Sequence, residues 1–334
     1  MKIKQWTPWI LLAALLLLAG GFATVYQIVP HTAVGDGSHK VEFEVSRGSG
    51  AWRVARDLYR ESLIDSPDRF IWYLKLTNRS DQLKAGVYSL DDGMTGTAIA
   101  DLLIAGRTRL IALTIPEGWT NRQIGDYLTE KGFVSDRARF LAIARDRELL
   151  KKYAILDDST EGYLFPETYM VPPGYEARKI QELMLKRFQK VLQAIVAGSG
   201  REWSAKEIRD RVVLASIVER EAVRDKERPM MARVFLNRLD KNMRLESCAT
   251  VQYLLDKPRA KLYERDLQIQ SPYNTYRNGG LPPGPVSNPG KAALEAAFQP
   301  VENDYLYFVL KPDGSHYFSQ SYREHLNAKH KYLD

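Results

Sequence analysis

The sequence predicts an α+β protein with a single N-terminal transmembrane helix, a small α+β repeat region and a larger C-terminal α+β domain. Three observations support this organisation. An uncharged apolar stretch follows the first seven residues, a pattern of apolar positions recurs at an offset of seventy, and the C-terminal half combines amphipathic helices with a hairpin pattern. At 334 residues the chain is long enough for about two folded units besides the N-terminal segment.

Composition places the chain among ordinary globular proteins and indicates an anionic partner. Hydrophobic residues make up 45% and charged residues 27% of the sequence, and the formal net charge is +7. No basic run is interleaved with aromatic residues, which argues against nucleic acid as that partner. The single cysteine, Cys248, excludes an intramolecular disulfide and any metal site built from several cysteines.

The stretch from Pro8 to Val29 reads as a membrane anchor. Its 22 residues would form a helix of about 33 Å, enough to cross the hydrocarbon core of a bilayer. A cleaved signal peptide is the alternative, although its apolar part is usually only about 7–15 residues long. Lys2 and Lys4 place residues 1–7 in the cytoplasm and the chain after the helix outside it. Residues 30–40 are short and polar and are predicted to be a linker.

Residues 41–150 contain an internal repeat. Pairs of apolar positions are related by the same offset of seventy: Val45 and Ile115, Val54 and Ile124, Leu58 and Leu128, Leu63-Ile64 and Phe133-Val134, and Phe70 and Phe140. Each copy is predicted to be a strand, a glycine turn, a helix and a second helix. Residues 86–90 and a predicted helix at 95–105, ended by Gly106, join the copies. The region is either a small structural scaffold or a glycan-binding module.

The C-terminal half is predicted to be largely helical. Apolar spacing predicts a helix over 175–197, and Ser204 with Glu207 three residues later forms a capping box for the next one. The remaining predicted elements are a helix from about Pro229, a short helix through Leu255, a helix at 290–298, a hairpin of strands 305–310 and 316–318, and a terminal helix.

The segment 161–169 is rich in aromatic and acidic residues and follows no helical period. Tyr163, Phe165 and Glu167 within it are candidates for binding a sugar, because flat rings stack on pyranose faces and carboxylates accept hydrogen bonds from hydroxyls. A turn that packs its aromatic residues into the domain core explains the same composition equally well.

A second irregular segment begins with Tyr273 and Asn274. Residues 280–290 follow it and contain so many glycines and prolines that regular structure is excluded and the backbone path is predicted to be fixed. A fixed path would present Tyr273 and Asn274 to a ligand in one geometry.

Two carboxylates end the helix that Ser204 caps, and Glu219 is the candidate general acid. Glu219 shares a face with Ala215 and Ser216, whose small side chains leave room for a ligand. Glu221 lies on the opposite face with Arg224 at i+3 for an ion pair, whereas Glu219 has no cation at i±3 or i±4. A carboxylate in apolar surroundings without a cation has a raised pKa, which suits a general acid. A helix-end glutamate that reaches solvent is the alternative.

Other chemistries find little support in the sequence. It contains no glycine-rich phosphate loop and no Gly-x-Ser-x-Gly elbow around a nucleophilic serine. The histidines are scattered, and His325 and His330 are five positions apart rather than the four that place two ligands on one helical face. We therefore predict no metal and no cofactor, and acid–base chemistry on a polymer outside the membrane.

A set of short motifs is recognisable as a whole. They are Ile115–Gly118, Gly162–Tyr169, Leu214–Glu221, Asn237–Leu239, Met243–Leu245, Tyr273–Tyr276, Gly280–Pro285 and Asn288–Gly290. Together they resemble the endolytic murein transglycosylases (YceG-like, MltG type), whose catalytic glutamate falls on Glu219. One departure is that Cys248 and Ala249 stand where the family commonly has Asp-Pro, which puts a substrate contact at that position in doubt.

The resemblance implies a single-pass inner-membrane enzyme with a periplasmic catalytic domain at 151–334 and a LysM-like region before it. Such an enzyme cuts nascent peptidoglycan strands between MurNAc and GlcNAc and leaves 1,6-anhydroMurNAc ends, with Glu219 acting as acid and then as base. Peptidoglycan synthases are candidate partners. The candidate substrate contacts are Tyr163, Phe165, Glu167, Ser216, Tyr273 and Asn274. A non-catalytic, membrane-anchored glycan-binding scaffold and a hydrolase that makes reducing ends are the competing hypotheses.

Overall fold

A computed structural model describes residues 29–257, 259 and 262–333. Helices and strands are mixed along the chain, which confirms the α+β class. The predicted anchor lies almost entirely outside the described residues. Within the part of the chain that is described, no helix combines the length and the apolar character needed to cross a membrane.

The chain divides into two compact units, each with its own interior. The first ends at Ile111 and includes Met170–Pro173, and the second comprises Ala112–Tyr169 and the residues from Gly174 onward. The boundary predicted at residue 150 is therefore too late in the sequence. The second repeat copy belongs with the C-terminal helices because its side chains are buried among them; Gln181, for example, donates a hydrogen bond of 3.0 Å to the carbonyl of Phe140.

The first unit packs three helices beside a two-stranded antiparallel sheet. In the sheet, Phe43 pairs with Tyr88, and both rings are buried with Leu58 and Phe70 from the helices. The predicted linker is not a free tether in this unit, since Val34 donates to the carbonyl of Asp92 at 3.1 Å. The elements are β1 (Lys40–Val45), α1 (Ala51–Arg60), α2 (Pro67–Leu76), β2 (Gly86–Asp91) and α3 (Gly96–Ala105).

The second unit is mainly helical. In it, the helix at Lys291–Phe298 packs against the helix at Ala205–Glu221. From residue 111 the elements are β3 (Ile111–Thr114), α4 (Asn121–Glu130), α5 (Arg137–Ala144), α6 (Arg147–Lys152), β4 (Thr168–Val171), α7 (Ala177–Gly198), α8 (Ala205–Glu221), a 3₁₀ turn (Asp225–Glu227), α9 (Arg228–Asp240), α10 (Cys248–Gln252), α11 (Glu264–Leu267), α12 (Lys291–Phe298), β5 (Tyr307–Leu310), β6 (His316–Ser319) and α13 (Tyr322–Tyr332).

The internal repeat is present as two strand–helix–helix copies. Helices α1 and α4 begin seventy positions apart, as do α2 and α5. Gly48 and Gly118 occupy the same turn with φ of +79° and +73°, a conformation that favours glycine. Phe70 and Phe140, the paired aromatic residues, are both fully buried. The likeness to a LysM module stays a prediction.

Local signals predicted several C-terminal elements correctly. Ser204 and Glu207 form the expected capping box, with Ser204 N donating to Glu207 Oε2 at 2.8 Å. Strands β5 and β6 form the expected hairpin, in which Phe308 pairs with Phe318. The glycine- and proline-rich segment at 280–290 contains no helix or strand, and most of it is buried.

Replacement of either paired phenylalanine by alanine tests the division into units. Phe70→Ala and Phe140→Ala each remove a fully buried ring, which is expected to lower the free energy of unfolding by about 3–5 kcal/mol. Hydrogen exchange should locate the Phe140→Ala effect in α5 and α7 and the Phe70→Ala effect in β1 and β2. Loss of protection in β1 and β2 caused by Phe140→Ala would contradict the boundary at Ile111.

Candidate active site

Helix α8 places Glu219 at the edge of a buried, mostly apolar region. Its capping box fixes the first turn, and every residue from Val212 to Val218 is buried. The helix ends after Glu221 because Ala222 has an extended conformation, with φ −80° and ψ 125°. Glu219 is thus the first carboxylate after seven buried residues, and its own side chain is only 5% exposed.

Each carboxylate oxygen of Glu219 has a specific partner. Oε1 lies 3.1 Å from Nη2 of Arg228, whose side chain is 7% exposed, and Oε2 accepts a hydrogen bond of 2.9 Å from the backbone N–H of Gly290. The prediction that Glu219 has no cation is therefore wrong. Arg228 begins the next helix, and the carboxylate of Glu227 before it is held by His316 Nδ1 at 2.7 Å.

The pKa of Glu219 is nevertheless raised above its ordinary value. Burial is the largest cause, because it disfavours the charged carboxylate. The positive charge of Arg228 and the N–H of Gly290 oppose this effect, while the negative charge of Glu117 adds to it. The prediction of a raised pKa is confirmed in direction, but for a different reason. The pKa is raised because the effect of burial exceeds that of the nearby cation, not because a cation is absent.

The space beside the small side chain of Ser216 is filled by another segment of the protein. Ser216 is fully buried; its Oγ donates to the carbonyl of Val213 at 2.7 Å and accepts from the N–H of Val286 at 3.0 Å. Ser287 Oγ donates to the carbonyl of Ser216 at 3.0 Å. The space predicted for a ligand beside Ser216 is occupied by the segment 286–290, so Ser216 fastens that segment to α8.

Asn288 ties the same segment to two others. Its Oδ1 accepts from the N–H groups of Gly162 and Leu164, at 3.0 and 2.9 Å. Its Nδ2 donates to the carbonyl of Trp119 at 2.9 Å and to Oε1 of Glu161 at 3.3 Å. A buried amide with this many partners fixes the position of the N–H two residues later, which is the donor to Glu219.

The turn at Glu117 and Gly118 completes the site. Gly118 N donates to the carbonyl of Asn288 at 2.9 Å, and the carbonyl of Gly118 accepts from Nη1 of Arg220 at 3.3 Å. A Cβ added to Gly290 would lie 1.9 Å from Oε1 of Glu117. The carboxyl groups of Glu117 and Glu219 therefore both contact Gly290. Within the described ranges, no group of three or more histidine, cysteine or acidic side chains could hold a metal ion.

The residues that form this site lie within a part of the chain that matches a known protein family. A family model described as the YceG-like family matches residues 43–331. The chain belongs to the YceG-like family.

Named relatives of this YceG-like chain agree with the family match. A Bacillus subtilis protein named endolytic murein transglycosylase is 31% identical, with 89% of this chain and 86% of that protein covered. A Streptococcus pneumoniae protein of the same name is 30% identical over 93% of this chain, which spans only 62% of that protein. A solved YceG-like protein from Listeria monocytogenes is 33% identical with a TM-score of 0.59, covering 86% of this chain and 98% of that chain.

Glu221 in this YceG-like chain has different partners from those predicted. It accepts hydrogen bonds from Ser247 Oγ at 2.5 Å and from Ala249 N at 3.2 Å, while Arg224 binds Asp313 instead. The expected pairing of Glu221 with Arg224 is wrong because the helix ends at Glu221 and the chain turns away. Glu221 instead anchors the segment at residues 247–249.

Cys248 itself is exposed at the start of α10. Its Sγ lies 3.1 Å from the hydroxyl of Tyr276, and burial raises the pKa of the thiol.

The segment 161–169 packs inward. Tyr163 and Phe165 are each 6% exposed, with Tyr163 Oη donating to Asp157 at 2.6 Å and its ring set edge-on against Phe188. Glu167 is partly exposed and is paired with Arg187 at 2.8 Å. The burial of both rings is what a turn packed into the domain core requires, so this geometry supports that alternative.

Tyr273 and Asn274 have contrasting environments. Asn274 is fully buried, and its Nδ2 donates to the carbonyls of Leu267 and Ile269, both at 2.9 Å. It holds its own loop rather than facing a ligand. Tyr273 is partly buried, lies 5.2 Å from the ring of Tyr253, and lines a cavity of about 270 Å³.

Most of the groups that surround Glu219 were not predicted from the sequence. Arg228, Asn288 and the N–H of Gly290 are separated from Glu219 by a helix end or by long stretches of sequence. Glu161, also missed, is buried, and its two carboxylate oxygens share the N–H of Asn121 at 3.0 and 3.1 Å. Asn288 and Gly290 stand in one of the family motifs, which does not by itself indicate contact, whereas Arg228 and Glu161 stand in none of them.

Glu161 should give this YceG-like chain a pH-dependent stability. Burial raises the pKa of its carboxyl from 4.5 to about 8, so the folded chain binds more protons than the unfolded chain between these values. The free energy of unfolding should therefore fall as the pH rises from about 5 to about 8, by about 1 kcal/mol per pH unit at the steepest. Urea denaturation of the wild type and of Glu161→Gln measures the difference, and equal slopes would contradict it.

Arg228→Gln is expected to raise the pKa of Glu219 further. The substitution removes the nearest positive charge while the carboxyl stays buried, so the effect of burial is opposed less strongly. Carboxyl-carbon NMR titration measures this pKa directly. Asp225→Asn is the control, because Asp225 binds Nε of Arg228 at 2.9 Å and its loss leaves the contact with Glu219 in place. An unchanged titration of Glu219 in Arg228→Gln would refute the arrangement.

Proposed function

We propose that the chain is an endolytic murein transglycosylase that cleaves peptidoglycan glycan strands between MurNAc and GlcNAc and leaves 1,6-anhydroMurNAc ends. The observation that carries the proposal is the environment of Glu219, a buried carboxyl with a raised pKa and a preformed partner for each oxygen. The names of the relatives from Bacillus subtilis and Streptococcus pneumoniae support the same reaction.

In the first step Glu219 acts as the general acid. Its raised pKa favours the protonated carboxyl, and this proton passes to the glycosidic oxygen as the bond to C1 of MurNAc breaks. The carboxylate that results is buried, and an unpaired buried charge would be costly. Arg228 and the N–H of Gly290 stabilise it where it forms, without a movement of the chain.

In the second step the same carboxylate acts as the base. It takes the proton from the C6 hydroxyl of MurNAc while that oxygen bonds to C1, which closes the anhydro ring and restores the protonated Glu219. No water is consumed, because the nucleophile belongs to the substrate. Ordinary glycosidases place a second protein carboxylate as nucleophile or base, a role that the sugar hydroxyl takes over here.

The remaining parts of the proposal concern location and partners. Residues 8–29 anchor the chain in the cytoplasmic membrane, with residues 1–7 inside and the catalytic unit in the periplasm, as the length of the apolar stretch and the lysines before it support. Anchoring there gives the enzyme access to newly made strands, and peptidoglycan synthases are its candidate partners. The LysM-like region before the catalytic unit contributes to binding of the glycan.

Digestion of purified sacculi by the full-length protein in detergent tests the reaction. Mass spectrometry should find products lighter than hydrolytic products by the mass of one water, and Glu219→Gln should lower their rate of formation by about 10²–10⁴-fold. Glu202→Gln, an exposed glutamate before α8, serves as the matched control and should behave as the wild type does. Reducing ends would indicate a hydrolase, and binding to sacculi without products would indicate a scaffold.

A further inference from the structure

Glu117 is an exposed carboxylate that makes no hydrogen bond or ion pair with the residues the structure describes, yet lies beside the buried Glu219. We propose that Glu117 is a second functional carboxylate of the cleft, which stabilises positive charge developing on the sugar and whose negative charge acts on the carboxyl of Glu219. The inference rests on the proposed function for its substrate, a glycan whose anomeric carbon becomes positively charged as the glycosidic bond breaks.

Gly290 is the point that the two carboxyl groups share. Its N–H donates to Oε2 of Glu219 at 2.9 Å, and the position of a Cβ on its other side is filled by the carboxylate of Glu117, 1.9 Å from Oε1. The φ of Gly290 is −76°, which any residue can adopt. Position 290 therefore requires glycine because a side chain there would overlap the carboxylate of Glu117. The backbone conformation does not require it.

The turn that carries Glu117 is clamped to the catalytic helix. Gly118 has a φ of +73°, and a Cβ added to it would lie 3.3 Å from Cδ of Arg220 and 3.5 Å from Cγ of Glu219. Its N–H and carbonyl are bound to Asn288 and Arg220, at 2.9 and 3.3 Å. The backbone beside Glu117 is thus held from two sides, which keeps its carboxylate near Glu219.

The first repeat copy serves as an internal comparison. Its equivalent turn has Arg47 and Gly48, and Gly48 adopts the same conformation with a φ of +79°. Beyond its immediate chain neighbours, a Cβ added to Gly48 meets no atom of the described residues within 4 Å, whereas the turn at Gly118 contacts Glu219. The turn itself does not require an acidic residue before its glycine. The acid occurs in the copy whose turn meets the catalytic carboxyl.

The charges around Glu219 give Glu117 a defined effect. Arg228 faces Glu219 directly, Asp225 binds the far side of Arg228, and Arg220 is directed at the carbonyl of Gly118. Glu117 is the negative group that opposes Arg228 and helps to raise the pKa of Glu219. A fixed negative charge at this position also favours the positively charged transition state over the neutral substrate.

Glu117→Gln keeps the shape of the side chain and removes its charge. The alkaline limb of the pH–rate profile, where Glu219 loses its proton, should shift by about one unit to lower pH, and turnover should fall by about tenfold or more. Glu117→Asp should retain the position of the limb. Glu130→Gln, which changes an exposed glutamate at the end of α4, is the matched control and should leave both quantities unchanged.

Carboxyl-carbon NMR titration of the substrate-free protein separates this inference from the proposed function. Glu117→Gln should lower the pKa of Glu219, with the Glu219 signal assigned from its loss in Glu219→Gln. An unchanged titration together with an unchanged pH limb would overturn the inference even if anhydro products form. If the wild type forms no anhydro products, the proposed function fails, and the role of Glu117 toward the sugar fails with it; a lowered pKa of Glu219 then upholds only the charge coupling between the two carboxyl groups.

Discussion

The docking of residues 286–290 across α8 is the constraint on which the site depends. This segment has no regular structure, so its buried polar groups are satisfied by side chains and by distant backbone. Ser216 accepts from Val286, Asn288 bonds segments near residues 119 and 162, and Gly290 donates to Glu219. A buried group that loses such a partner pays its full desolvation penalty. The hydrogen bonds that stabilise the segment therefore also position the donor to the carboxyl of Glu219.

Two opposing physical effects act on the pKa of Glu219. Burial favours the neutral acid, while Arg228 and the N–H of Gly290 favour the carboxylate. Strong pairing without burial would keep the group ionised and useless as an acid, and burial without pairing would make loss of the proton very costly. With both present, the carboxyl can release a proton and take one back in the same place, which a single residue serving as acid and then base requires.

The repeat shows how one fold element can serve two purposes. Both copies bury the same apolar positions and both turn at a glycine with positive φ. The copy that contains Gly118 packs with the C-terminal helices, and its turn reaches Glu219. Similar local structure was predictable from the offset of seventy residues. The membership of the two copies in different compact units was not, because it depends on what each copy packs against.

Periodicity, caps and glycine turns in the sequence determined the α+β class, the paired repeat copies, α8 with its box at Ser204, and the hairpin, since each rule operates within a few neighbouring residues. Side-chain size and family motifs also singled out Glu219. Only the tertiary structure decided that Arg228 pairs with it, that Ser216 and Asn274 hold loops, and that Tyr163 packs inward. These contacts join segments distant in sequence, where composition and spacing set no distance and burial decides which polar groups must meet.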